Sequence, residues 1–122
     1  MLEHLRRDKD PKSAIVGAFH LMLCGGETSP GGCLMVNSAI ERAPHDPQIA
    51  AIIETSMQQV QDFFAEGLNA ARANGDLSNQ TNIDETAKVL HGLMVGLLVL
   101  LRANPDSSVP AAVSSRVRNI FD

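Results

Sequence analysis

The stretch PQIAAIIETSMQQVQDFFAEGLNAARANG, residues 47 to 75, decides the fold. Ile49, Ile52, Ile53, Met57, Val60, Phe64, Leu68 and Ala71 recur three or four positions apart, the spacing that puts side chains on one face of an α-helix. The opposite face carries Glu54, Gln58, Gln61, Asp62, Asn69 and Arg72, which suits water or a polar partner. Both ends are punctuated. Asp46 before Pro47 is a cap followed by a residue whose missing N–H costs nothing in a first turn, and Asn74-Gly75 is a C-terminal stop. A long amphipathic helix is predicted, and such a helix must lay its apolar face on other helices.

Upstream lies PGGCLMVNSAIERAPHDP, residues 30 to 47. Nearly every position from Cys33 to Arg42 except Asn37, Ser38 and Glu41 is apolar, which predicts a short helix buried on most sides. It ends near Ala43, because Pro44 disfavours helical geometry in the residue before it. The loop GGETSPGG precedes it. Before that loop, Asp10-Pro11 repeats the cap-and-proline start, and Ile15, Phe19, Met22 and Leu23 form an apolar stripe that ends at Cys24 before Gly25-Gly26. Residues 1 to 10 are read as an exposed lead-in, and residues 11 to 122 as one domain.

Downstream, Asn82 with Glu85 three residues on resembles a capping box. Ala87, Leu90, Leu93, Met94, Leu97, Leu98 and Leu101 follow at helical spacing. Between Leu93 and Leu101 this helix is apolar all round, which demands cover on every side. Gly92 and Gly96, four apart, share a face on which a second backbone can approach closely; packing inside the monomer and a subunit contact are equally open. Asn104-Pro105-Asp106 breaks the chain, and a last helix runs from about Ser108 to Phe121 with Val109, Val113, Val117, Ile120 and Phe121 on one face. The predicted fold class is all-α, a bundle of five helices.

Composition agrees. A chain of 122 residues that is 44% hydrophobic but only 3% aromatic has an aliphatic core, and its Ala- and Leu-rich balance favours helices over strands. The formal charge of −4 has the wrong sign for gripping phosphates across a whole surface. Cys24 and Cys33 accompany neither a CxxC motif nor a signal peptide, so a reduced, cytoplasmic setting is expected. The longest apolar run, Gly92 to Leu101, spans only about 15 Å as a helix, roughly half a bilayer core, and is read as a buried helix.

Chemistry is sparse. His4, His20, His45 and His91 fall in four segments without an HxxxH or HExxH pair, so no metal site is expected. GGETSPGG lacks a following GK[ST] and is read as a loop. Cys33, after a glycine turn at a helix start, fits a small buried apolar residue better than a thiol nucleophile. No catalytic residue and no cofactor are assigned. Asn37, Ser38, Ser56 and His91 are polar residues in apolar surroundings, each satisfied locally or available to a ligand. Met22, Met35, Met57 and Met94 fall one to a helix, as core or as the lining of an adaptable cavity.

The order of these segments resembles the C-terminal regulatory domain of the TetR, or tetracycline-repressor-like, family of transcriptional regulators. The specific part is Gly32, Cys33, Leu34, Val36, Asn37, Ala39 and Glu41, then Pro44, Asp46 and Pro47; the likeness extends over residues 11 to 121. The resemblance implies an inducer pocket among the first four helices, with the short helix as one wall, and a symmetric homodimer whose last two helices form a four-helix interface. It also implies that operator DNA is met through an N-terminal helix-turn-helix domain that residues 1 to 12 are too few to hold, and hence that this chain is a fragment or truncated product. Past Lys12 there are 6 basic and 11 acidic residues, in keeping with DNA contacts lying elsewhere.

The expected effector site comprises Phe19, Leu23, Met35, Met57, Val60, Phe64, Leu90, His91 and Met94, enclosing at least about 300 Å³. Its apolar lining suits a hydrophobic or amphipathic molecule and not a phosphorylated or highly charged one. The expected dimer interface comprises Gly92, Gly96, Leu97, Leu100, Val113, Val117, Ile120 and Phe121. The competing readings are a homodimeric helical scaffold without a ligand and a small thiol enzyme using Cys33.

Overall fold

A computed structural model describes residues 10 to 24 and 40 to 121, with the side chains of residues 20 to 24 left out of the description. Among the described residues there are four α-helices and no strands: α1 (Pro11–Cys24), α2 (Pro47–Ala73), α3 (Ile83–Ala103) and α4 (Val109–Asn119). Residues 40 and 41 are helical, and a 3-10 turn, Ala43–His45, leads into α2. The rest of the short helix expected over residues 33 to 42 lies outside the described residues.

The helix ends follow from local chemistry. Asp10 accepts from the Lys12 amide and, at 2.6 Å, from the Ser13 hydroxyl; the Ser13 hydrogen bond is the first cause holding the Asp10 carboxyl below its ordinary value. Asp46 accepts from the amides of Gln48 and Ile49 at 3.0 and 3.3 Å, pairing donors that the first turn leaves free. Asn82 caps α3 through the Glu85 amide at 3.0 Å. At the end of α2, Gly75 has φ +82. The amides of Gly75 and Asp76 reach back to the carbonyls of Arg72 and Ala71, the paired bonds of a Schellman stop.

That stop turns the chain back on itself. Gln61 and His91, equally far along the chain from Asp76, are hydrogen-bonded, so α3 runs back along α2. Helix α1 packs on α2 and α4, and α4 on α3, which closes a ring of neighbours. The core inside that ring holds Ile15, Ala18 and Phe19 from α1, Phe63, Phe64 and Leu68 from α2, Leu90, Met94 and Leu97 from α3, and Val117 and Phe121 at the chain's end. Phe64 touches two rings, Phe19 at a centroid distance of 5.8 Å and Phe63 at 5.5 Å.

Glycine sets the closest helix approach. A methyl group at Gly67 would stand 2.9 Å from Ile15 Cδ1, so α1 lies against α2 at a distance only hydrogen allows. Helix α3, by length and composition alone, could cross a membrane. Its inner residues Ala87, Leu90, Met94 and Leu97 instead belong to the core.

Candidate functional site

The described residues offer two places of interest on α3, on opposite sides. On the inner side, Gln61 Nε2 lies 3.0 Å from His91 Nδ1. His91 is half-buried as a residue, yet its Nε2 is buried and has no hydrogen-bond partner among the described residues. Burial pushes the imidazole below its ordinary pKa, because desolvation disfavours the charged ring. A donating amide at Nδ1 makes that nitrogen the acceptor and leaves the ring proton on Nε2. The result is a half-buried histidine whose buried Nε2 has no partner among the described residues.

On the outer side, α3 and α4 flank an open apolar groove of about 400 Å³ lined by Val89, Gly92, Leu93, Gly96, Leu97, Leu100, Val109 and Val113. A methyl group on Gly92 or Gly96 would meet nothing within 4 Å. Among the described residues, then, nothing packs against these two glycines. Val89, Leu100 and Val109 are large apolar side chains left exposed at the groove.

The residues expected to meet a ligand divide. Phe19, Phe64 and Leu90 have no exposed surface, and Met94 is buried with them. The rings of Phe19 and Phe64 lie against one another, with centroids 5.8 Å apart. Met57 and Val60 are half-buried, Val60 against the core. Leu23 lies in the last turn of α1 with its side chain undescribed, and Met35 lies outside the described residues. Gln61, read from the sequence as part of the polar face, is the residue sequence reasoning missed. Its signal was its place one turn beyond Met57, at the border of the apolar stripe.

The residues expected at a dimer interface divide as well. Gly92, Gly96, Leu97, Leu100 and Val113 line the groove, with Leu97 its buried floor. Val117 and Phe121 are buried within the single chain, and Ile120 packs against the same core. These three are thus covered, wholly or in part, within the single chain. Helix α1 supplies the cover, down to Lys12 Nζ standing 5.9 Å from the Phe121 ring centroid.

A second open groove, about 520 Å³, runs along the outer face of α2 past Ala51, Glu54, Thr55, Gln58, Gln59 and Asp62. Among the described residues, no three His, Cys, Asp or Glu side chains gather as metal ligands.

Comparison with known proteins adds to this geometry. The family described as "Tetracyclin repressor-like, C-terminal domain" matches residues 13–117. The chain belongs to the tetracycline-repressor-like C-terminal domain family. A curated relative, the uncharacterized HTH-type transcriptional regulator YezE of Bacillus subtilis (strain 168), is 35% identical over 75 residues, which cover 61% of this chain and 39% of that protein. The chain thus spans well under half the length of the relative it matches. No solved structure matches. The family description and the relative's name are both of the regulator kind, and the described residues of this tetracycline-repressor-like domain are all-helical.

Proposed function

We propose that this tetracycline-repressor-like domain binds a small, mostly apolar effector at the inner side of α3 and pairs with a second copy of itself through the outer side. In that reading it controls DNA binding by a helix-turn-helix domain outside the residues described. The relative's HTH-type description supports that division of labour, as does the net charge of −4, which opposes contact with phosphates. An effector that favours one spacing of the paired domains shifts the regulator between DNA-bound and free populations. The setting is cytoplasmic, where operator DNA is met.

The single observation that carries this reading is the two-sidedness of α3. Leu90, His91 and Met94 turn inward, while Gly92, Gly96 and Leu100 border an open apolar groove. This arrangement supports a reading in which one helix serves effector and partner alike.

Sedimentation of the wild type and of Gly96→Leu tests the pairing. The wild type is expected to be a dimer at micromolar concentration, and the variant to dissociate at least about tenfold more readily. Because the position is open in the monomer, the helical circular dichroism should be unchanged. A wild type that sediments as a stable monomer defeats the proposal. For the effector, a thermal-shift screen of small apolar compounds should raise the melting temperature with at least one; no shift from any compound favours the ligand-free scaffold.

A further inference from the structure

The effector reading leaves open what kind of molecule the inner side of α3 accepts, and the Gln61–His91 pair bears on it. Gln61 Nε2 sits 3.0 Å from His91 Nδ1, occupying the ring nitrogen that would otherwise be free to donate or accept. The remaining nitrogen, Nε2, is removed from solvent without a partner among the described residues. A buried N–H left unpaired loses its hydration without replacement, a cost that a bound acceptor removes.

Charge narrows the choice. Among the described residues no charged side chain is buried. On α3, Lys88, one turn before His91, is exposed and held by Asp84 at 2.9 Å, while Glu85 and Arg102 are exposed. On α2, Asp62 is exposed and accepts from Gln58 at 3.0 Å, and Glu54 and Glu66 are exposed. Arg72, the basic residue of that helix, bonds Asn69. Neighbouring core positions are Val60, Phe64, Leu90 and Met94. Among the described residues these surroundings place no buried charge to neutralise an ionised group, whose transfer from water costs far more than that of a neutral dipole.

We propose that His91 offers a neutral Nε2–H as the polar contact of the effector site, and that the effector is an uncharged molecule carrying a carbonyl or ether oxygen on an apolar body. This rests on the effector-binding reading above. Gln61 acts as a positioning residue: by donating to Nδ1 it keeps the proton on Nε2. The ligand's oxygen accepts that proton's hydrogen bond, and its hydrocarbon remainder meets the apolar side chains.

The test uses the whole chain and four nine-carbon probes: 2-nonanone, nonane, nonanoate and nonylamine. Long-range proton–nitrogen correlation spectra of the free, labelled chain should show His91 as the Nε2–H tautomer. The ketone should bind at least about tenfold more tightly than nonane and shift the Nε2 resonance, with the two ions weaker than the ketone. In His91→Phe the ketone should fall to the affinity of nonane, while nonane binds as before. An Nδ1–H tautomer in the wild type, equal binding of ketone and nonane, or preference for either ion overturns the inference while leaving the effector site standing. Binding of none of the four overturns the effector reading and the inference with it. The tautomer measurement decides even where His91→Phe fails to fold.

Discussion

Gly67 and His91 carry the least replaceable chemistry at the scale of single residues. Alanine at an exposed helical glycine raises stability by up to about 1 kcal/mol, but at Gly67 its methyl group would stand 2.9 and 3.1 Å from Ile15 Cδ1 and Cγ1. Ile15 is fully buried, so it has little room to yield, and overpacking costs typically about 1–3 kcal/mol. Urea denaturation should therefore find Gly67→Ala less stable than the wild type; an increase in stability would mean that α1 slides freely on α2. His91 makes a pH-dependent contribution of known sign. Its folded pKa lies below the ordinary value of about 6.5, so the unfolded chain binds more protons once the pH drops below that value. Its contribution is complete above about pH 6.5 and declines as the pH falls toward the folded pKa. Denaturation at pH 7.5 and 5.5 should show the wild type losing more stability on acidification than His91→Gln. A smaller loss in the wild type would contradict the buried, neutral ring.

Helices form here because their ends are paired before their faces are packed. Asp46 serves two amides of α2 and sits against Pro47, which is preset for a first turn. Asp46→Ala should cost about 1 kcal/mol, read as a lower urea midpoint with an unchanged slope; no change would mean that water serves the same amides equally well. The four helices differ in what they cover. Helix α4 is held by α1 on one side through Val117 and Phe121, while Val109 and Val113 on its other side border the groove shared with α3. Helix α3 is divided likewise between a core face and an open one. An apolar helix pattern states that cover is needed but not who provides it, which is why Val117 and Val113 read alike in the sequence and stand apart in the fold.

For the molecule as a whole, charge and architecture point the same way. The domain carries 14 acidic against 10 basic residues, and of the two grooves described one is apolar and the other carries Glu54 and Asp62. Footprinting of the 122-residue chain on operator-containing duplex should accordingly give no sequence-specific protection at physiological salt. A defined footprint from this chain alone would transfer DNA recognition to the domain itself. The ring of contacts from α1 through α2 and α3 to α4 places the core face and the open groove on two sides of the same helix, α3; in the proposed reading that helix links effector and partner.

Helix type, helix ends and family were legible in the residues themselves. The 3.6-residue periodicity of 47 to 75, the Asp-Pro starts and the Asn-Gly stop are local properties, written in side chains within a turn of one another, and the observed ends of α2 and α3 follow them. The run from Gly32 to Pro47 carried the family likeness in the same local way. Pairings across the fold were another matter. That Phe19 meets Phe64, that Gln61 turns inward to His91, and that α1 covers Val117 and Phe121 depend on how far each helix rotates and slides against its neighbours. Rotation by a fraction of a turn exchanges a border residue such as Gln61 between water and core without altering the periodicity, so only the packed tertiary structure could decide it.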